Sequence, residues 1–344
     1  MQFSIVIPSR NRSRLLRVAI ESVLAQDFDD YEVVVANDGS DGEHYAEYRA
    51  MANEWTPRVR FIDLEHTAQG HGSSYAINMG AAAANGRFLT FLDDDDFWTD
   101  PGHLGRTHNL LSGDGSDSID AVYAEQQAVR DGQPVTELLW LNGLAEELRR
   151  SGVEPISINA KAVEVTVSQL LTQPTFGHLN TSVIRRSLFE QIGGLDNDIR
   201  YENDRDFYLR TIDNARRIVL QTVSIAQHNV PDRTRKDNLS TAVSALQKHL
   251  YQLQVDDKVL LFARHPEIRA AGRTGKAYTL RRMARILAAQ QNHPEAACYA
   301  WQALGTRFTF KWLVYSSWLG IRGLVLTNAG GHGASRLPTG EQER

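Results

Sequence analysis

Four consecutive aspartates, residues 93–96, form the densest cluster of reactive side chains in this sequence of 344 residues. They directly follow an apolar run at 88–92 (FLTFL), a pattern typical of a buried strand. Most charge runs are solvated loops, but carboxylates packed at the end of a buried strand repel one another unless a cation neutralises them. Since oxygen ligands favour hard divalent ions, the run predicts a Mg²⁺ or Mn²⁺ site with open positions for phosphate oxygens.

Carboxylates elsewhere in the chain allow both a structural and a chemical interpretation. Asp38 lies in the turn sequence NDGS, where it either caps the turn or binds a base N–H or a ribose hydroxyl. Asp204 and Asp206, with Glu202 nearby, either complement a helix dipole or provide a general base. A general base must reach the proton that it removes, so its assignment depends on geometry.

The segments that carry these residues alternate between strand-like and helix-like patterns. The predicted strands are residues 3–7, 31–36, 59–64 and 87–92, and the predicted helices are 13–25, with Ser13 as N-cap, 42–55 and 73–84. This alternation predicts an α/β fold with βαβ units and a mostly parallel sheet. Because right-handed crossovers place the carboxyl ends of the strands at one edge, residues 9–11, Asp38 and residues 93–96 should meet there.

Several nucleotide-binding and hydrolytic classes lack their signatures here. The first strand is followed by Ser-Arg-Asn-Arg instead of G-x-G-x-x-G, which argues against a dinucleotide oxidoreductase. No G-x-x-x-x-G-K-[ST] occurs, which excludes a P-loop NTPase, and no G-x-S-x-G occurs, which weakens a hydrolase interpretation. A nucleotide held through a metal ion remains.

Charge is distributed unevenly along the chain. The 37 Lys and Arg residues and 42 Asp and Glu residues give a net charge of −5. Residues 1–232 carry 20 basic and 35 acidic side chains, net −15, whereas residues 233–344 carry 17 and 7, net +10. Such a split predicts two parts with different partners. The single Cys298 excludes a disulfide framework and a multi-cysteine zinc site, and it fits a reducing, cytoplasmic compartment.

The pattern predicts three regions. Residues 1–232 form the domain that carries the site, in which 113–175 is an insertion that covers the site. Residues 233–329 are basic and helical, interrupted near Pro266 and Pro294, and 330–344 are a disordered tail. We expect no secretory leader, because the first apolar segment ends at Pro8. Residues 308–326 approach membrane-span length, but Lys311 and Arg322 lie inside them, which argues against a span.

Four ordered motifs resemble family 2 glycosyltransferases of the GT-A fold, over about residues 3–230. The opening segment FSIVIPSRNRSRLLRVAIESVLAQDFDDYEVVVANDGSDG contains two of them, PSRN and NDGS. The segment SSYAINMGAAAANGRFLTFLDDDDFW is similar to that family's approach to its D-x-D metal motif. The segment GGLDNDIRYENDRDFYLR is similar to its later acidic motif, in which the second carboxylate is the base.

The resemblance implies roles for the matching positions. The positions that would contact the nucleotide are Pro8, Ser9, Arg10, Asp38 and Asp93. Asp95 would be the direct metal ligand and Asp96 would support its loop. Asp204 falls on the position of the base, with Glu202 as the alternative because Asn203 replaces the acidic residue that usually precedes the base.

Three residues beyond the acidic motif are additional candidates. His228 is a possible ligand of the metal or the diphosphate, although a lone histidine is more often structural. Arg233 and Arg235, in the stretch PDRTRK, either close over the diphosphate or lie on a solvated surface.

The resemblance implies an inverting, Mn²⁺- or Mg²⁺-dependent glycosyltransferase in polysaccharide or glycolipid assembly. It would move a sugar from a nucleotide-diphosphate donor to a hydroxyl of a glycan or lipid-linked glycan. We expect the donor to be UDP-linked, and we expect no nucleic-acid partner. The alternatives are a nucleotidyltransferase acting on sugar phosphates and a nucleotide-sugar-binding protein without catalysis. A glycosyltransferase releases free nucleoside diphosphate, whereas a nucleotidyltransferase releases pyrophosphate, so the released product distinguishes these two activities.

The basic C-terminal region supports two hypotheses. It is either an amphipathic anchor at an anionic membrane, holding a cytoplasmic enzyme peripherally at the inner face near a lipid-linked acceptor, or a packing or oligomerisation domain. In the second case its aromatic residues are core: Trp301, Trp312, Tyr315 and Trp318.

Overall fold

The computed structural model describes residues 1–113, 115–135, 139–172, 175–230 and 243–330, the last six of these by their backbone alone. The described residues fall into two compact units. One comprises residues up to 243 together with 261–269, and the other comprises 244–260 and the residues from 270 onward. The predicted boundary at 232–233 and the predicted tail after residue 330 lie outside the described residues.

A single sheet, with ten strands in the described residues, organises the first unit. The strands are β1 Phe3–Ser9, β2 Tyr31–Asn37, β3 Val59–Asp63, β4 Phe88–Phe91, β5 Phe97–Trp98, β6 Ile119–Arg130, β7 Gln133–Pro134, β8 Ala162–Val165, β9 Ser182–Arg185 and β10 Arg217–Asn229. Their order is β3-β2-β1-β4-β9-β6-β10-β5, with β7 paired to β6 and β8 to β10. Strands β1 to β4 are parallel where they pair, and β9 is antiparallel to both β4 and β6.

The first strands are rich in β-branched and aromatic residues and are covered on both faces. Every residue of β1, β2 and β4 is buried, as expected for parallel strands between helical layers. The predicted strands at 3–7, 31–36, 59–64 and 87–92 are confirmed to within two residues at each end. The predicted α/β class is therefore confirmed.

Eight α-helices of the described residues accompany this sheet. They are α1 Ser13–Leu24, α2 Gly42–Glu54, α3 Ser73–Ala83, α4 His103–Ser112, α5 Leu144–Arg150, α6 Val167–Leu170, α7 Arg186–Gln191 and α8 Asn203–Asn214. The predicted helices at 13–25, 42–55 and 73–84 are confirmed to within one residue. The N-cap prediction for Ser13 is wrong, because Arg12 holds the cap position and the Ser13 hydroxyl lies 2.7 Å from Nδ1 of His44.

The interpretation of residues 113–175 as an insertion needs correction. Strand β6 lies inside the sheet, antiparallel to β9 and parallel to β10. Its sequence, IDAVYAEQQAVR, breaks the apolar run with polar residues, and for this reason the pattern did not predict a strand. Gln126 is nevertheless buried, and its backbone N–H and C=O are paired with the side chain of Asn142.

The second unit is helical. The helices that follow β10 in the described residues are α9 Ala245–Phe262, α10 Pro266–Ala289, α11 His293–Thr306 and α12 Phe310–Gly330. Pro266 begins α10 and Pro294 lies in the first turn of α11, positions that need no backbone N–H. No helix of the described residues has the length and hydropathy required to cross a bilayer, as predicted for residues 308–326.

Candidate active site

A cavity of about 670 Å³ lies where β1, β2 and β4 end. The predicted site residues that the structure describes all line it: Pro8, Ser9, Arg10, Asp38, Asp93, Asp95, Glu202, Asp204 and His228. The sheet therefore brings the separate polar clusters together, as the strand pattern predicted. The candidates Arg233 and Arg235 lie outside the described residues.

Within the acidic loop, Asp94 is buried and is held by residues at the end of β1 and just after it. Ser9 Oγ donates a hydrogen bond to Asp94 Oδ2 at 2.7 Å and receives one from the Tyr48 hydroxyl at 2.7 Å. Arg12 Nη1 donates to Asp94 Oδ1 at 3.1 Å and to Asp95 Oδ2 at 2.9 Å. Burial raises the pKa of Asp94 to about 6, although Arg12 acts in the opposite direction. The Ser9 hydroxyl is thus engaged in fixing the loop beside the cavity.

Asp96 is buried and anchors the acidic loop to neighbouring segments. It accepts hydrogen bonds from Asn180 Nδ2, from His228 Nδ1 at 2.6 Å and from the backbone N–H of Asn229 at 2.7 Å. Asn180 Oδ1 also accepts from the N–H of Asp93 at 2.8 Å. One buried amide therefore holds both ends of the acidic loop, and this geometry supports the structural role predicted for Asp96.

Asp93 and Asp95 are the partly exposed carboxylates of the loop, and both line the cavity. Burial, followed by repulsion from Asp96 and Asp95, raises the pKa of Asp93 well above its ordinary value. Burial and then Asp96 raise the pKa of Asp95, and Arg12 opposes this increase. A bound cation would remove the repulsion between these groups, so the pair suits a hard divalent ion.

Asp38 anchors the segment that borders the cavity beyond β3. Its carboxylate accepts from the N–H groups of His71 (2.9 Å) and Gly72 (3.0 Å), and it lies 2.8 Å from His71 Nδ1. The Arg10 guanidinium donates to the carbonyls of Asp38 (3.0 Å) and Thr67 (2.7 Å). Arg10 and Asp38 together close this end of the cavity.

Asp204 lies in the first turn of α8. Its Oδ1 accepts from the N–H of Arg205 at 2.7 Å, and the preceding Asn203 donates to Ser74 Oγ at 3.1 Å. Burial, followed by the charge of Glu202, raises the pKa of Asp204 to about 6. A carboxylate with a pKa near neutrality is suited to take up a proton.

The neighbouring carboxylates of this motif have other partners. Glu202 lies 3.7 Å from the Arg205 guanidinium. Asp206 is buried and accepts two hydrogen bonds from Arg210, at 2.6 and 2.9 Å, and it does not line the cavity. Of the three, Asp206 is therefore structural, and Asp204 has the environment of a base.

His228 is oriented by the acidic loop. Because Nδ1 donates to Asp96, Nε2 is the nitrogen available to a metal ion or a diphosphate. Histidines that bind metal ions commonly donate their other ring N–H to a carboxylate in this way. Burial lowers the pKa of His228, but the hydrogen bond to Asp96 and the negative charges of Asp96, Asp93 and Asp95 together outweigh burial, so the pKa is raised. The rings of Trp140 and His178 pack against it, with centroids 4.8 and 5.1 Å away.

The described residues contain no preformed cage of three His, Cys, Asp or Glu side chains for a metal ion. The site therefore differs from a closed structural metal centre. Mg²⁺ in enzymes is typically held by one or two carboxylates together with substrate phosphates. Asp95, with Asp93 and His228 beside it, fits that open arrangement.

The sequence interpretation missed several residues that shape this site. Arg12 could have been noticed, because a cation next to four aspartates is the simplest way to balance them. Asn180, His178 and Trp140 carry no such signal, since they belong to segments that only the fold brings to the loop.

Comparison with known sequences decides the family. The profile described as Glycosyl transferase family 2 matches residues 4–193, more than half of the chain. The chain belongs to glycosyltransferase family 2. It is therefore a glycosyltransferase, and the resemblance seen in the motifs is confirmed.

Individual relatives of this family 2 protein are distant. The uncharacterized glycosyltransferase YwdF of Bacillus subtilis is 28% identical over 216 residues, covering 63% of this chain and 70% of YwdF. A Campylobacter jejuni protein named GalNAc(5)-diNAcBac-PP-undecaprenol beta-1,3-glucosyltransferase is 34% identical over 95 residues, or 28% of this chain. That second match spans only 30% of the relative's length.

A solved structure confirms the fold of the family 2 chain. S. aureus TarS 1-349, in complex with UDP-GlcNAc, has a TM-score of 0.63 at 18% identity. The match covers 97% of this chain and 92% of the other. At this identity the likeness shows the fold alone, which is the predicted GT-A fold with C-terminal helices.

We predict that Arg12→Met destabilises this family 2 enzyme by about 3 kcal/mol, because it leaves the buried Asp94 and the partly buried Asp95 without their cation. The double variant Arg12→Met/Asp94→Ala should recover part of that loss. Arg17→Met, which removes an exposed pair with Glu54, should cost about 1 kcal/mol or less. Urea unfolding at neutral pH measures all three; equal losses for Arg12→Met and Arg17→Met would contradict the role of Arg12.

Proposed function

We propose that this protein is an inverting, metal-dependent glycosyltransferase that transfers a sugar from a nucleotide-diphosphate donor to an acceptor hydroxyl. The observation that supports this most directly is that one cavity joins the acidic loop to Asp204. The loop provides negative charge suited to a cation, which would in turn bind a diphosphate, and Asp204 provides a carboxylate able to take up a proton. A single displacement needs these two functions in one site.

Asp204 would act on the acceptor. Its carboxylate takes the proton of the acceptor hydroxyl as the oxygen attacks the anomeric carbon of the donor sugar. The bond from that carbon to the diphosphate oxygen breaks, and the nucleoside diphosphate leaves with the electron pair. The new bond forms on the opposite face of the sugar, so the anomeric configuration inverts. Burial in the first turn of α8 maintains the basicity of Asp204.

The acidic loop would hold Mn²⁺ or Mg²⁺. Asp95 is the proposed ligand, with Asp93 beside it and His228 Nε2 as a further ligand of the ion or the diphosphate. An ion held there would neutralise charge on the leaving diphosphate, an electrostatic contribution that is often large in such transfers. Arg12 then remains on Asp94, so that the loop keeps its position when Asp95 binds the ion.

The nucleoside end of the donor would lie between Pro8, Arg10 and Asp38, with Asp93 near the ribose. Asp38 accepts hydrogen bonds in the structure, which is the polarity needed to bind a base N–H. The guanidinium of Arg10 is planar and able to stack on a base. UDP is the proposed nucleotide, which agrees with the UDP-GlcNAc bound to the related TarS fold.

The proposed acceptor is a glycan or lipid-linked glycan at the cytoplasmic side of a membrane. The name of the Campylobacter jejuni relative describes a PP-undecaprenol-linked glycan, which supports this class. The acceptor would enter beside Asp204, where Glu202, Asn203 and Tyr201 also line the cavity. These side chains are the ones we expect to orient the attacking hydroxyl.

A screen of nucleotide sugars tests the donor assignment. We predict that UDP-sugars with Mn²⁺ stabilise the protein by about 2.7 kcal/mol at one hundred times their dissociation constant, and release free UDP slowly. Asp95→Asn should abolish the dependence on Mn²⁺, while Asp29→Asn, at a 93% exposed position, should not. Release of pyrophosphate from a nucleoside triphosphate and sugar phosphate would instead identify a nucleotidyltransferase.

The pH dependence of transfer tests the base. Asp204 must be ionised to accept a proton, so kcat/KM should fall about tenfold per pH unit below pH 6. Asp204→Asn should lower transfer about 10²–10⁴-fold while UDP still binds. Glu202→Gln should retain transfer and move the acid limb to lower pH, because it removes the like charge that raises the pKa of Asp204. Loss of transfer in Glu202→Gln alone would make Glu202 the base.

A further inference from the structure

Helix α12 is apolar on two opposite faces. An α-helix turns 100° per residue, so Trp312, Leu319 and Gly323 lie on one side, and Phe310, Val314 and Ile321 lie on the other. Helices that are apolar all round are normally buried on all sides. Here only one of the two faces is buried.

The inner face packs against α11 and α10. Trp312 and Leu319 are 5% and 0% exposed and share a cluster with Ala284, Ala296 and Ala300. The core hypothesis for the C-terminal aromatic residues is thus correct for Trp312. It is not correct for Trp301 and Trp318, which are 47% and 42% exposed.

The outer face, which we call the α12 stripe, is exposed along its described length. It consists of Phe310 (72%), Val314 (55%), Trp318 (42%), Ile321 (64%) and Leu324 (68%). These positions fall within about 120° of helix circumference. Isolated exposed apolar residues are ordinary, but a continuous row of them marks a contact surface.

The charged residues of α12 itself are both cationic. Lys311 and Arg322 lie along one edge of the stripe, and the Arg322 guanidinium stacks over the Trp318 ring at 4.6 Å. The sequence holds no Asp or Glu between Glu295 and Glu341. A second copy of this surface would therefore bring cations against cations, whereas anionic lipid headgroups would meet the opposite charge.

We propose that the α12 stripe binds the surface of an anionic membrane. The helix lies in the plane of the interface, with Phe310, Val314 and Ile321 in the boundary between headgroups and acyl chains. Lys311 and Arg322 contact the phosphates, and Trp318 occupies the interfacial depth that indole rings prefer. None of these residues is among the proposed catalytic or binding residues, so this role goes beyond the proposed transfer reaction.

Vesicle sedimentation of the full chain tests the proposal without any donor. We expect binding to vesicles of phosphatidylglycerol and phosphatidylcholine, and at least about tenfold weaker binding to phosphatidylcholine alone. Val314→Gln/Ile321→Gln should weaken the anionic binding about tenfold or more. The matched control Val18→Gln/Ile158→Gln removes one Val and one Ile at exposed positions elsewhere and should bind as wild type.

Charge removal and oligomeric state complete the test. Lys311→Gln/Arg322→Gln should also weaken binding about tenfold and reduce its dependence on salt, while thermal unfolding stays unchanged because the altered side chains are on the surface. Equal binding by wild type and the Val314→Gln/Ile321→Gln variant would overturn the proposal. So would a wild-type dimer in sedimentation velocity that this variant dissociates, since the stripe would then be a subunit interface.

Discussion

The repulsion among four adjacent aspartates at the end of β4 is the constraint on which the site depends. The fold separates them by giving each pair a different environment. Asp94 and Asp96 are buried and bound by protein donors, whereas Asp93 and Asp95 are partly exposed and line the cavity. Burial and repulsion from its neighbours raise the pKa of Asp93. A cation bound together with a diphosphate donor is the simplest way to neutralise this negative charge. The loop therefore retains unbalanced charge where a metal ion and a substrate would lie.

The partners of the buried aspartates explain why the site needs this particular sheet. Arg12 follows β1, Asn180 precedes β9, and His228 and Asn229 end β10. These segments are far apart in the sequence, and the order β1-β4-β9-β6-β10 brings them to one edge. Helix α8 begins at the same edge, and Asp204 therefore lines the same cavity as the acidic loop. Fold and chemistry are thus linked through a few hydrogen bonds to one loop.

The sequence was most informative where local pattern determines structure. Buried parallel strands read as apolar runs, so β1, β2 and β4 and the edge at which they end could be predicted, together with the residues that follow them. Strand β6 could not, because polar residues interrupt its apolar run and its place in the sheet is set by pairing with β9 and β10, which are distant in the sequence. The role of Asn180 could not be predicted for the same reason, since it depends on contacts with Asp93 and Asp96, which are distant in the sequence. The cap at Arg12 was missed because its side chain serves the acidic loop instead of the helix.

Anomalous diffraction from a crystal of the protein with UDP and Mn²⁺ tests the central claim most directly. The account predicts a manganese peak in the cavity, bonded to the Asp95 carboxylate and to the UDP diphosphate, with Arg12 still paired to Asp94. Bound UDP without manganese in the cavity, or manganese bound away from Asp95, would contradict it.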